Sequence, residues 1–291
     1  MSARITFELT EGAGTQIVDI RDVVDIINYY VGLNIFNSSI QTLYFRLQII
    51  DPSGNWTFDD GTTLKDLGSV NPAAVARLCV LLKRSKPPVG TEETITLKLL
   101  MYTDSEYTNK LDEKSQTITF VFIDTSQLTV IDESTFDDGS EDGWTLTGFS
   151  VSDEMSINAG GYSLKLADRT SSTSFKTLVG TAEKSIVLPA MNKIYIRLYA
   201  LRKMWAYGAS YGTIRIYVNG ELVSQFMLHY RAVPSGETGY DGWFNIVADI
   251  SKYAGTPVTI KVEVEMRYRS TSVSYVPYTI VYIDEILICG E

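Results

Sequence analysis

The chain has 291 residues, with 25 Lys and Arg against 35 Asp and Glu and a formal net charge of −10. That length allows one large domain or two medium ones, and 45% hydrophobic with 21% charged residues is a globular composition, not a disordered one. The acidity argues against gripping nucleic acid or an anionic membrane by charge, and its simplest reading is solubility.

The N-terminus carries no basic stretch followed by an apolar one, so no signal peptide is expected. No run of about 18 apolar residues occurs, so no membrane span is expected. A surface role would then need another exit route, such as a virus particle. Residues 4–9 alternate and predict a first strand, followed by a turn at 11–14. Over 19–31 the period changes. Ile20, Val23, Val24, Ile27 and Val31 fall at helical spacing, with Asp19 as N-cap and Gly32 as stop, which predicts one short helix. Strands are predicted at 42–50, 56–58, 78–83, 94–102 and 116–123, the last two as neighbours. Asn71-Pro72 could open one further helical turn through Ala76. A domain boundary falls near 124–133, followed by a segment with six carboxylates: Asp132, Glu133, Asp137, Asp138, Glu141 and Asp142.

From Trp144 onward strand signals recur at 162–167, 184–188, 194–201, 213–226, 244–250, 260–268 and 279–288. Ile214, Ile216 and Val218 alternate up to Asn219-Gly220, the signature of a type I′ hairpin. Ile260, Val262, Val264, Met266 and Tyr268 are expected inward, with Lys261, Glu263, Glu265, Arg267 and Arg269 outward. The closing stretch 279–288 is apolar on both faces and reads as an inner strand. Strict alternation would put Ile280, Tyr282, Asp284, Ile286 and Ile288 on one face and Val281, Ile283, Glu285 and Leu287 on the other. Asp284 at its centre needs a partner, because a buried carboxylate is costly unless it is bonded or paired. The whole is all-β, two β-sandwich domains over 1–128 and 129–291, the first Ig-like or jelly-roll-like.

Phe136-Asp137-Asp138-Gly139, Gly143-Trp144, Tyr162-Ser163-Leu164-Lys165-Leu166 and the closing Tyr282-Ile283-Asp284-Glu285-Ile286 resemble the jelly-roll carbohydrate-binding modules, over about 130–291. The resemblance implies a jelly roll for the second domain and a structural calcium held at Asp137 and Asp284. The opening motif has Asp137 where that family usually has Glu.

His229 is the single histidine, and no Gly-x-Ser-x-Gly elbow, phosphate-binding glycine loop or Cys/His metal cluster occurs. Catalysis is not expected. Cys79 and Cys289 read as buried free thiols. Aromatics are the better lead. Trp205, Tyr207 and Tyr211 share the loop 204–212, and Tyr230, Tyr240 and Trp243 surround the loop 235–242. Exposed rings there could stack on sugars or anchor a protein interface. Asn37-Ser38-Ser39 and Asn55-Trp56-Thr57 are glycosylation sequons. Two readings follow. One is a non-catalytic virion surface protein that partners copies of itself or other capsid proteins, loosely like turret and spike proteins of icosahedral archaeal viruses. The alternative is a carbohydrate-binding protein, secreted or on a cell surface.

Overall fold

The computed structural model describes residues 5–9, 14–21, 23, 25–157, 161–235, 237–240, 243–272 and 274–291. Two units, Met1–Thr125 and Ser126–Glu291, each form a two-sheet β-sandwich.

The first unit contains β1 (Ile5–Leu9), β2 (Gly14–Asp19), β3 (Ile26–Asn37), β4 (Leu43–Ile50), β5 (Trp56–Phe58), β6 (Leu64–Val70), β7 (Val75–Ser85), β8 (Glu92–Tyr102) and β9 (Lys110–Ile123). One sheet runs β1-β3-β7-β5, the other β2-β9-β8-β4-β6. The first order, set over β9-β8-β4, is that of an immunoglobulin-like sandwich. The opening segment is shared: β1 pairs antiparallel with β3, and β2 pairs parallel with β9.

The helix expected over 19–31 is not there. Ile26 to Phe36 pair with β7, and Ile27, Val31, Leu33 and Ile35 bury at strand spacing. This segment is rich in β-branched and aromatic side chains, so a sheet partner outweighs a coincidental helical stripe. Asp19 caps no helix. It accepts the backbone N–H groups of Arg21 and Thr125, both at 3.1 Å, and the Thr125 hydroxyl at 2.6 Å. The helical turn expected after Asn71-Pro72 is a tight turn with Ala73 at φ 57°, leading into β7.

The sequon at Asn37 is consumed by the fold. Asn37 is fully buried, and its Nδ2 donates to the carbonyls of Gln41 (2.9 Å) and Val70 (2.8 Å). Asn55, the acceptor of the second sequon, is exposed, although Trp56 beside it is buried. Asn37→Asp replaces that donor by an acceptor facing two carbonyls and is expected to lower stability by about 2 kcal/mol in thermal denaturation. An unchanged melting temperature would show that these bonds contribute nothing.

The second unit contains β10 (Thr129–Ser134), β11 (Thr145–Thr147), β12 (Ser150–Ser152), β13 (Ser163–Arg169), β14 (Lys176–Val187), β15 (Ile194–Trp205), β16 (Gly208–Val218), β17 (Glu221–Ala232), β18 (Thr238–Tyr240), β19 (Phe244–Asp249), β20 (Pro257–Ser270) and β21 (Tyr278–Gly290). Eight of them form a jelly roll, β13-β21-β15-β19 facing β14-β20-β16-β17. Asn219 and Gly220 both have positive φ, 52° and 80°, as the type I′ turn of the β16–β17 hairpin requires. On β20 the expected inward residues are buried, and Arg215 bridges Glu263 (2.9 Å) and Glu265 (3.0 Å) on the outer face.

Strand β21 is central and buried from Thr279 to Gly290, but its faces differ from strict alternation. Arg197 pairs with Leu287 and Tyr199 with Asp284, so Leu198 opposes two residues in a β-bulge, with Glu285 at φ 46°. The bulge resets the phase. Val281, Ile283, Ile286 and Ile288 face the main core, while Ile280 and Tyr282 pack with Leu201 on the other side. Cys289 is fully buried, and the Cys79 side chain lies outside the described residues.

Candidate functional site

Two places in the second unit concentrate functional side chains. The first is a gap along β21. On one flank β21 pairs with β10 from Ile286 onward and with β13 up to Ile283, which leaves Asp284 and Glu285 between the two partner strands. Asp284 is fully buried there. Its Oδ2 accepts the Ser156 hydroxyl (3.0 Å) and the Ile157 N–H (2.8 Å), and its Oδ1 accepts the Glu285 N–H (2.7 Å). Burial pushes the Asp284 carboxyl above its ordinary range against these bonds, and the charge of Asp137 adds to the rise. A Cβ at Gly161 would stand 2.0 Å from Asp137 Oδ1 and 2.7 Å from Ser156 Oγ, so only glycine leaves room beside these oxygens. The gap therefore gathers Asp137, Ser156 and Asp284, an all-oxygen set. Among the described residues no group of three or more acidic, His or Cys side chains is placed to hold a metal. Glu285 turns to other work, pairing with the fully buried Arg197, whose Nη1 donates to Tyr199 (2.8 Å).

The second place is one end of the sandwich, where the described residues of the connections 170–175, 206–207, 233–237 and 271–277 converge. Backbone bonds tie them together. Thr170 N–H donates to Pro277 (3.3 Å), Ser270 N–H to Ser172 (2.8 Å), Thr271 N–H to Tyr207 (2.7 Å) and Tyr207 N–H to Val233 (3.0 Å). Beside this end, strand register lays out rows of side chains on the outer face of the β13-β21-β15 sheet. Arg169 pairs with Tyr278, and Met204 with Thr279, so Trp205 is the next neighbour of Tyr278. The second row is Ala167, Ile280, Lys203 and Tyr240, and the third is Lys165, Tyr282 and Leu201.

The contacts confirm the rows. The Trp205 and Tyr278 rings lie 5.2 Å apart at 55°. The Lys203 ammonium sits 4.8 Å from the Trp205 ring and 5.4 Å from that of Tyr240, and Arg169 donates to the Tyr278 hydroxyl at 3.2 Å. Trp205 is 37% exposed, Tyr278 39% and Tyr240 45%, so each offers ring surface while its neighbours hold the rest. At the strip's margin Glu154 accepts the Tyr282 hydroxyl (3.0 Å) and pairs with Lys165. Lys165, followed by the Tyr282 hydroxyl, keeps the Glu154 carboxylate below its ordinary range. Burial and that carboxylate hold the Tyr282 hydroxyl protonated well above its own.

The six aromatics singled out by sequence do not form one cluster. Trp205 and Tyr240 share the strip. Trp243 is partly buried and supports it, packing against the Leu201, Ile280 and Tyr282 cluster. Tyr207 stacks on Tyr275 (4.0 Å, 18°) and bonds Ser235, which stiffens the loops. Tyr211 lies on the other sheet, edge-on to Phe175 at 5.1 Å. The Tyr230 side chain lies outside the described residues, as does that of His229. Tyr278, Lys203 and Arg169 were missed, because only strand register brings them beside Trp205.

No protein-family model matches the chain, and no curated relative does. Among solved structures it is similar to TmCBM61 in complex with β-1,4-galactotriose, at 13% identity over 54% of this chain and 94% of that one, TM-score 0.34. It is similar to the CBM22-1 xylan-binding domain of Xyn10C from Paenibacillus barcinonensis, at 18% identity over 56% and 95%, TM-score 0.30. It is also similar to the K1 cleaved adhesin domain of Lys-gingipain from Porphyromonas gingivalis W83, at 14% identity over 55% and 98%, TM-score 0.34. At these scores the fold rests on this chain's own strand pairings, and function on its own side chains. Those pairings define a two-sandwich all-β protein whose C-terminal unit is a jelly roll.

Proposed function

We propose that the second unit is a non-catalytic carbohydrate-binding module whose ligand lies on the strip of Trp205, Tyr278 and Tyr240. The observation that carries this reading is the strip itself: three half-exposed rings in two adjacent rows of a rigid sheet, with charged groups at their edges. A sugar ring presents an apolar face to an aromatic plane, and its hydroxyls find Glu154, Lys203 and Arg169 around it. A saccharide ligand accords with an extracellular or cell-surface setting. No observation in the structure favours the virion-surface reading.

Trp205→Ala is expected to weaken binding by about 10–50-fold, the range for an aromatic hot spot, with the circular dichroism spectrum unchanged. The measurement is affinity electrophoresis against a panel of soluble polysaccharides. Silence of the wild-type protein across a broad glycan array would sink the reading.

The gap on β21 is proposed to hold a structural calcium ion. Asp137 and Asp284 would supply carboxylate oxygens and Ser156 a hydroxyl, with the rest of the shell from backbone carbonyls and water. The ion would neutralise two carboxylates that otherwise repel across the junction of β10, β13 and β21.

A further inference from the structure

We infer that the ligand of the aromatic strip is an acidic saccharide, one carrying carboxylate groups such as uronate or sialate; this rests on the glycan-binding reading above. The argument is the distribution of cations. Elsewhere in the second unit lysines and arginines sit on acids, as Lys184 does on Asp132 (2.7 Å), Arg215 on Glu263 (2.9 Å) and Lys261 on Glu263 (3.2 Å). Arg169, Lys176, Lys203, Arg267 and Arg269 make no ion pair with a described acid. All five fall at the end where the four connections converge, at or within a few residues of the ends of β13, β14, β15 and β20.

In a chain of net charge −10, five cations without acids at one end form a local positive field. The nearby acids are mostly engaged. Glu154, whose field reaches Lys203, is ion-paired with Lys165 and bonded by Tyr282, whereas Asp168 accepts only the neutral Tyr268 hydroxyl and keeps its charge, so the cations outnumber the unpaired acids there. Glu237 is the exposed described carboxylate that remains there. Two of the five cations belong to the strip itself. Lys203 lies between the Trp205 and Tyr240 rings, and Arg169 lies 5.7 Å from the Tyr278 ring. A saccharide stacked on Trp205 would bring a ring carboxylate to this pair, and a guanidinium and an ammonium are the two groups that bind it by charge-assisted bonds. A neutral sugar would cover Lys203 and give it only hydroxyl acceptors, a weaker return for its desolvation than a carboxylate.

The test is isothermal titration with polygalacturonate, alginate and sialyllactose, each against a neutral counterpart: methyl-esterified polygalacturonate, mannan and lactose. At least one acid is expected to bind about tenfold or more tightly than its neutral form. Raising NaCl from about 50 to about 500 mM should weaken the acid and leave the neutral form unmoved. The double variant Lys203→Gln/Arg169→Gln, with Trp205 intact, should bring the acid down to the neutral level. Equal binding of acid and neutral forms, or a double variant that binds the acid unchanged, overturns the inference while leaving the glycan-binding reading intact. No binding of any saccharide overturns both. An unchanged circular dichroism spectrum of the double variant checks that its loss is not a loss of fold.

Discussion

Glu93→Ala is expected to lower stability by about 3–5 kcal/mol, the usual loss when one partner of a buried ion pair is removed. In the first sandwich Arg84 Nε donates to Glu93 Oε2 at 2.5 Å and Nη2 bonds Oε1, a two-pronged pair whose side chains are 6% and 10% exposed. The same carboxylate accepts the Trp56 indole N–H at 3.0 Å and the Asn55 amide at 3.1 Å. Trp56 is itself fully buried and stacks on Phe120 at 4.4 Å. Removing Glu93 strands a guanidinium and an indole donor together, so the melting temperature should fall by roughly 10 °C or more. Arg84, more than burial opposes, keeps the Glu93 carboxyl below its ordinary range. A depressed folded-state pKa contributes stability above the unfolded value, and that stability disappears as pH falls through the folded one. Acid unfolding of the wild type should therefore include a Glu93 contribution that Glu93→Gln lacks. A variant that melts with the wild type would mean the pair is neutral in the fold.

Much of the architecture is legible locally. The β16–β17 hairpin follows from Asn219-Gly220 and the alternation on either side. The β20 faces follow from five apolar residues alternating with five charged ones. The pairing of β8 with β9 follows from two clean alternations joined by a polar segment. Each of these signals is confined to one strand or to two consecutive ones.

What failed depended on distant partners. Residues 19–31 satisfy a helical stripe and a strand pattern at once, and β7, some 50 residues on, decides between them. The β21 bulge is invisible because Asp284 and Glu285 look like two ordinary strand positions. Only the register against Arg197 and Tyr199 shows that one residue is extra. The strip is the same case: Arg169, Lys203, Tyr240 and Tyr278 are scattered over 110 positions and become neighbours through three strand pairings. Sequence proximity instead grouped Tyr211 with Trp205, although the turn at 206–207 carries the chain from one sheet to the other between them. Pairs such as Arg84 with Glu93 and Tyr268 with Asp168 had no sequence signal, since any acid in an acidic chain was an equal candidate.

Millimolar calcium is expected to raise the melting temperature of the wild-type protein, and Asp284→Asn is expected to abolish that rise. A ligand that binds only the folded state stabilises it by about 2.7 kcal/mol at a hundred times its dissociation constant, which sets the scale. In the presence of EDTA the order should reverse. Asp284 is buried and its charge is opposed by that of Asp137, so the metal-free wild type carries an electrostatic penalty that asparagine removes. The amide keeps an oxygen for the Ser156 hydroxyl and the Ile157 N–H and gives up only the bond from the Glu285 N–H, a smaller loss than the charge penalty removed. Asp284→Asn in EDTA should thus match or exceed the wild type. Asp137→Asn, which removes the other carboxylate of the gap, should behave alike, whereas Glu285→Gln, engaged with Arg197, should leave the calcium increment in place. Magnesium should substitute poorly, because it demands a tighter octahedral shell than a gap shared by strand ends provides. If calcium up to about 10 mM leaves the wild type unmoved, Asp284 is satisfied by its hydrogen bonds alone. The glycine at 161 would then serve only to admit the Asp137 carboxylate.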